Sequence, residues 1–170
     1  SSLRRKCQLL RLRPDLQLVD LRGNVDTRLK KLQSKEFEGI VLAQAGVTRL
    51  GLQTSHQVLP IIPAVAQGAL GLECREDDEV VKKLIHPLHN EKAAWCVNAE
   101  RSFLKMMGGG CQVPLGCHVY YEGENVKIVA FISSFDGRQM STRENLVSTT
   151  QATATADKIA MELLEIGGTN

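Results

Sequence analysis

Three consecutive glycines at 108–110, followed by Cys111 and then Pro114, divide this chain in two. A helix does not continue cheaply through them, since each glycine costs ~1 kcal/mol relative to alanine in a helix interior. They admit positive φ and let another molecule approach the backbone closely. Pro114 stiffens the exit. A helix-like segment must end here and strand-like segments begin, with a thiol held out on an uncrowded loop. On spacing alone two readings of Cys111 stand. It is a covalent attachment point, or a cysteine that happens to lie in a glycine-rich turn.

The segments around that loop have clear periodicity. Asn90 is an N-cap for a long amphipathic helix reaching about Met107, with Ala94, Val97, Ala99, Phe103 and Leu104 as inward candidates. Beyond the loop, strands over 117–121 and 126–133 flank Glu122-Gly123-Glu124-Asn125, a hairpin signal. Asp136-Gly137 turns into a third strand over 139–144, and a last helix spans 149–166. The pattern is an α+β domain with a three-stranded antiparallel sheet.

The first part of the chain has a different rhythm. Ser2 caps a helix over 3–12, ended by Pro14 and Asp15. A short buried strand at 16–20, a turn at Arg22-Gly23-Asn24 and a helix over 25–34 follow. Residues 39–43 are apolar without alternation, which suits a parallel strand covered on both faces. A short helix over 46–52, a proline-bracketed crossing at 59–63, a strand over 69–74 and a helix from Asp77 or Asp78 to about His86 complete it. This alternation is half of a doubly wound α/β sheet, too small to close a core by itself. The chain opens at Ser1 without an initiator methionine or a preceding strand, and reads as beginning inside a domain.

Arginines sit at telling places in this half. Arg4 and Arg5 fall in a first helical turn, Arg22 and Arg28 flank the next helix start, and Arg49 follows the second strand. Helix starts normally favour acidic residues. Ligands of open α/β sheets bind beyond the strand ends, near helix N-termini. The planar guanidinium fork pairs well with carboxylate or phosphate. The arrangement therefore suits a polyanion, whereas Lys30, Lys31 and Lys35 read as a solvated face.

Composition narrows the alternatives. The chain has 170 residues, 43% hydrophobic, with a formal charge of +2 and only 7 aromatic residues, which offers little for base stacking or a phosphate track. Its five cysteines form no CxxC pair and no metal-ligand spacing with the four histidines, fitting a reducing compartment. No run is long enough to cross a membrane. A cysteine hydrolase would need a histidine base for Cys111. His118, on a strand, reads as a surface residue instead.

Taken together, Ser1-Ser2-Leu3-Arg4-Arg5, Arg22-Gly23-Asn24-Val25-Asp26-Thr27-Arg28-Leu29, Arg49-Leu50-Gly51, Gln67-Gly68-Ala69-Leu70-Gly71 and Gly109-Gly110-Cys111-Gln112-Val113-Pro114 occur in order. This set resembles the porphobilinogen deaminase (hydroxymethylbilane synthase) family of tetrapyrrole biosynthesis, over nearly the whole chain. The resemblance implies a dipyrromethane cofactor joined by a thioether to Cys111. It implies stepwise addition of four porphobilinogens with loss of ammonia, in a reducing compartment such as cytoplasm or plastid. Arg4, Arg5, Arg22, Arg28 and Arg49 would hold the acetate and propionate groups, with Ser2 and Asn24 assisting and Gln67 near a hinge.

The family's domain plan maps 1–62 to the latter part of a periplasmic-binding-protein-like second domain. Residues 63–88 would be hinge and return to the first domain, and 89–170 the C-terminal domain with the cofactor cysteine. The partners implied are porphobilinogen, the growing polypyrrole and the family's N-terminal domain, in cis or on another chain, with a monomer as the complete form. Nucleic acid and membrane are not among them. The family's catalytic aspartate falls outside this stretch, so no catalytic residue is assigned. Asp20 and Asp26 read as structural ion-pair partners of the arginines. Ala66 stands where the family usually has glycine. The competing reading is a non-catalytic binder of polycarboxylates.

Overall fold

A computed structural model describes residues 2–109 and 113–167. Six α-helices and three strands are described: α1 Leu3–Leu12, α2 Val25–Gln33, α3 Gln44–Arg49, α4 Glu79–Ile85, α5 Glu91–Met106, β1 Leu115–Glu122, β2 Asn125–Ser133, β3 Met140–Val147 and α6 Ala152–Gly167. Short 3-10 turns at His86–Leu88 and Thr149–Gln151 lead into α5 and α6.

The C-terminal half is built as its pattern dictates. The strands form one antiparallel sheet in the order β1-β2-β3, with Leu115 opposite Ile132 and Val126 opposite Val147. Alternation sends Leu115, Cys117 and Val119 of β1 and Val126, Ile128 and Ala130 of β2 to one face. There they meet Ala99 and Phe103 of α5 and Ala156, Ile159 and Leu163 of α6. Phe103 is fully buried. Such a side chain contributes about 1.5–3 kcal/mol relative to leaving it in water. A 2.5 Å hydrogen bond from the Ser102 hydroxyl to Asp157 ties α5 to α6. Asn90 caps α5 through its 2.9 Å bond from the Ala93 amide.

Helix α1 docks on the other face of this sheet. Cys7 is fully buried, and a Cβ at Gly137, in the β2–β3 turn, would run into the Cys7 carbonyl. Gly116 is equally confined: a Cβ there would lie 2.9 Å from Phe131, 3.1 Å from Ile62 and 3.2 Å from Arg4. Glycine at 116 is thus what lets α1, the 59–63 crossing and β1 meet.

The expected doubly wound half-sheet is not formed among the described residues of this chain. Residues 16–20, 39–43 and 69–74 form no strand, and the antiparallel sheet is the only one among the described residues. A parallel strand needs hydrogen-bonded neighbours on its edges and cover on its faces. Neither is met: Val19, Leu70 and Leu72 are 69%, 76% and 58% exposed. Smaller differences are of length. Helix α3 starts at Gln44 rather than 46, and β1 extends back to Leu115.

Candidate functional site

Arg4 and Arg5 lie in the first turn of α1, Arg28 in that of α2, and Arg49 at the end of α3, with the turn at 64–68 beside them. Ser2 caps α1, its hydroxyl accepting from the Arg5 amide at 3.4 Å. Asn24 caps α2, its side-chain oxygen accepting from the Thr27 amide and hydroxyl, both at 2.8 Å. Helix α3 begins at Gln44 without a side-chain cap, and a Cβ on its Gly46 would touch Val25 of α2 at 3.7 Å. The turn at 64–68 lies against the same helix, with Gly68 next to Ala45.

Into this junction project the guanidinium groups. Arg5 donates to the Val41 carbonyl at 3.0 Å and to the Gln67 side-chain oxygen at 3.4 Å. Arg49 donates to the Gly68 carbonyl, so consecutive residues of one turn hold both arginines. Arg28 donates to the Gly23 carbonyl at 2.7 Å, and Arg4 to the Leu115 carbonyl at 2.6 Å. Carbonyl groups thus accept from each of these side chains. Among the described residues no carboxylate lies within ion-pair distance of Arg5, Arg28 or Arg49. Burial first, then the neighbouring charges of Arg28 and Arg4, push the Arg5 pKa below its ordinary value. Like charges this close favour an incoming anion, since an opposite charge would relieve both effects.

The remaining expected residues fall in different places. Arg22 is exposed on the loop before α2, in electrostatic range of Asp20. Ser2 and Asn24 spend their side-chain oxygens on helix caps. Gln67 is exposed and anchors Arg5. Asp26 makes no ion pair among the described residues; it sits in the first turn of α2, where it complements the helix dipole. Cys111 lies outside the described residues. On the near side of its loop, Gly108 and Gly109 have φ of 76° and 69°, and a Cβ at either would meet nothing within 4 Å. On the far side Pro114 is buried, its carbonyl accepting from the Ser133 amide at 2.9 Å.

Two polar residues escaped the sequence reading. Gln8 is buried on α1 and bonds both backbone groups of Ile62. Glu100 is 4% exposed on α5. Its carboxylate accepts from the Ala66 amide at 2.5 Å, the Val119 amide at 2.8 Å and the His118 ring Nδ1 at 3.0 Å. A carboxylate can only accept, which places the ring proton on Nδ1. The signal for Glu100 was present: it shares the inward stripe of α5 with Cys96 and Phe103. Ala66 has φ of 57°, a left-handed conformation that costs a non-glycine residue ~1–2 kcal/mol.

Of the described cysteines, Cys7, Cys96 and Cys117 are buried and Cys74 is half-buried. Burial, reinforced by the Glu100 charge, pushes the Cys96 and Cys117 thiols upward, and burial does the same to Cys7. Thiols so protonated are poor nucleophiles.

Comparison with known proteins places the two halves. Residues 1–83 match the model described as porphobilinogen deaminase, dipyromethane cofactor binding domain. Residues 94–165 match that of the porphobilinogen deaminase C-terminal domain. The chain belongs to the porphobilinogen deaminase family. It is 48% identical over 172 residues to the porphobilinogen deaminase of Roseiflexus sp. strain RS-1, covering 99% of this chain and 56% of that protein. It is 44% identical over 171 residues to that of Syntrophotalea carbinolica, covering 98% and 54%. The corresponding enzyme of Chlorobium phaeobacteroides is 41% identical over 175 residues, covering 98% and 56%. The chain thus spans about half the length of the porphobilinogen deaminases it matches. Among its described residues no helix is long and apolar enough to cross a membrane.

Proposed function

We infer that Arg4, Arg5, Arg28 and Arg49 form the carboxylate clamp of a porphobilinogen deaminase, with Arg22 at its rim and the dipyrromethane joined through sulfur to Cys111. The observation that carries this reading is the guanidinium cluster, bound by carbonyl oxygens and, among the described residues, without carboxylate partners at Arg5, Arg28 and Arg49. Acetate and propionate groups suit such donors, each charged hydrogen bond contributing about 1.5–3 kcal/mol when desolvated. The family's cofactor-binding description falls on the segment that carries these arginines. When bound, the dipyrromethane would supply the pyrrole carbon that takes up the methylene of porphobilinogen, the amino group leaving as ammonia and the carbon's proton being lost. Residues of this chain orient acidic side groups and hold the loop. The aspartate that assists proton transfer lies in the part of the family sequence this chain does not span.

The domain plan follows from the same reading. Residues 1–62 belong to a periplasmic-binding-protein-like domain, 63–88 form a hinge and return segment, and 89–170 the cofactor-bearing domain. The strandless segments at 16–20 and 69–74 support this, because their exposed Val19, Leu70 and Leu72 want strand neighbours. The other half of the family sequence supplies them, in cis or on a second chain. A non-catalytic polycarboxylate binder has the same clamp but carries no pyrrole.

Intact mass of the protein joined to the remaining half of the family sequence tests the assignment. A two-pyrrole addition present with Cys111 and lost in Cys111→Ser is expected. Retention of that mass in the variant contradicts it, and a free, exchangeable ligand favours the binder.

A further inference from the structure

Glu100 is the buried carboxylate of the C-terminal half, yet one of its oxygens reaches out of that half to the Ala66 amide. Ala66 opens a turn whose next two residues hold the clamp: Gln67 accepts from Arg5, and the Gly68 carbonyl accepts from Arg49. The turn is strained at its pivot, Ala66 being one of two non-glycine residues with positive φ among those described. Its own bonds are modest, Gln67 N–H to Ala64 at 2.9 Å and Ala69 N–H to Ala66 at 3.1 Å. Glu100 is meanwhile held firmly from the sheet side by Val119 N–H and His118. It lies on α5, the helix that runs directly into Gly108 and the cysteine loop.

We propose that Glu100 is a positioning residue. It holds the Ala66 turn in its left-handed form, and so sets the clamp arginines relative to the helix that carries the attachment loop. The inference rests on the clamp reading above. A carboxylate suits the role because all three groups facing it are donors. In Glu100→Gln the amide oxygen can remain with Val119 and His118, but the NH2 group then opposes Ala66 N–H. The turn loses its anchor while the side-chain volume is kept. Glycine at 66 would hold the same φ without help.

The experiment uses the 170-residue chain and pyromellitate, a benzene tetracarboxylate, as the probe. Glu100→Gln should weaken pyromellitate binding about tenfold, the loss of roughly one charged hydrogen bond's worth of positioning. Adding Ala66→Gly to that variant should restore it to within about twofold. Ala66→Val, which leaves Glu100 untouched but resists positive φ, should weaken binding as Glu100→Gln does, and it carries the test if the latter does not fold. Hydrogen exchange at the 66–69 amides should rise in Glu100→Gln. Wild-type affinity in Glu100→Gln or in Ala66→Val, absence of rescue by glycine, or unchanged exchange overturns the positioning role. Failure of the wild-type chain to bind pyromellitate instead overturns the clamp, while the exchange measurement still reads the turn.

Discussion

Gln8 and Ile62 exchange a pair of hydrogen bonds: the Gln8 side-chain oxygen accepts from Ile62 N–H at 2.7 Å, and its amide donates to the Ile62 carbonyl at 3.0 Å. A side chain on α1 thus does for the 59–63 crossing what a neighbouring strand does in a sheet. The pair fixes α1 against the segment leading into the Ala66 turn, so the arginines of that helix depend on it for their aim.

Replacing Gln8 by leucine keeps the volume but leaves both Ile62 backbone groups without these partners. Two such groups at 1–3 kcal/mol each predict a loss of about 2–4 kcal/mol, with some recovery by water. Chemical denaturation of the variant against the parent chain checks it. A change under about 0.5 kcal/mol would mean that the pair is incidental.

Gly116 is the contact point of three elements, and its φ is not the reason, since only crowding is at issue there. Gly116→Ala should destabilise by about 1–3 kcal/mol, the usual cost of overpacking. Gly109→Ala differs in kind: its surroundings are open, and the penalty is the ~1–2 kcal/mol of a left-handed alanine. Thermal unfolding of the two variants separates crowding from backbone strain.

Cys7, Cys96 and Cys117 give the fold a pH dependence of definite sign. Their thiols are raised in the folded chain, by burial in the first place. Above the unfolded thiol value of about 8.5 the unfolded chain releases protons that the folded chain keeps, so stability falls as pH rises. Below that pH the contribution is fully present. Unfolding between roughly pH 8 and 10 should steepen this loss in the parent chain relative to Cys117→Ala. In native alkylation the three buried thiols should react only with unfolding, after Cys74.

Much of this architecture was legible beforehand, for local reasons. The caps Ser2 and Asn90, and Asp78 of the Asp77/Asp78 pair, each accept a backbone N–H where their sequence position says they should. The three-stranded sheet followed from period-two alternation around two short turns. The failures share a cause, which is reliance on partners distant in sequence. Residues 39–43 have the composition of a parallel strand but acquire no ladder among the described residues. Glu100 was passed over because a charged residue on an inward stripe is legible only when its donors, Ala66, His118 and Val119, are in view. Asn24 marks only a turn in the sequence, and its cap on α2 shows once the Thr27 amide is in view.

The chain alone should make no hydroxymethylbilane from porphobilinogen. Mixed or fused with the remaining half of the family sequence, it should do so. Product formed by the isolated chain would place the proton-transfer group among its own residues and would require a new assignment.

The central claim, that the guanidiniums at the starts of α1 and α2 hold an acidic ligand, is tested most directly by calorimetric titration with pyromellitate. Saturable binding that weakens with added salt, and that disappears when Arg4, Arg5 and Arg28 are all replaced by glutamine while the fold persists, is the result expected. No binding to the parent chain, or equal binding to the folded triple variant, contradicts it.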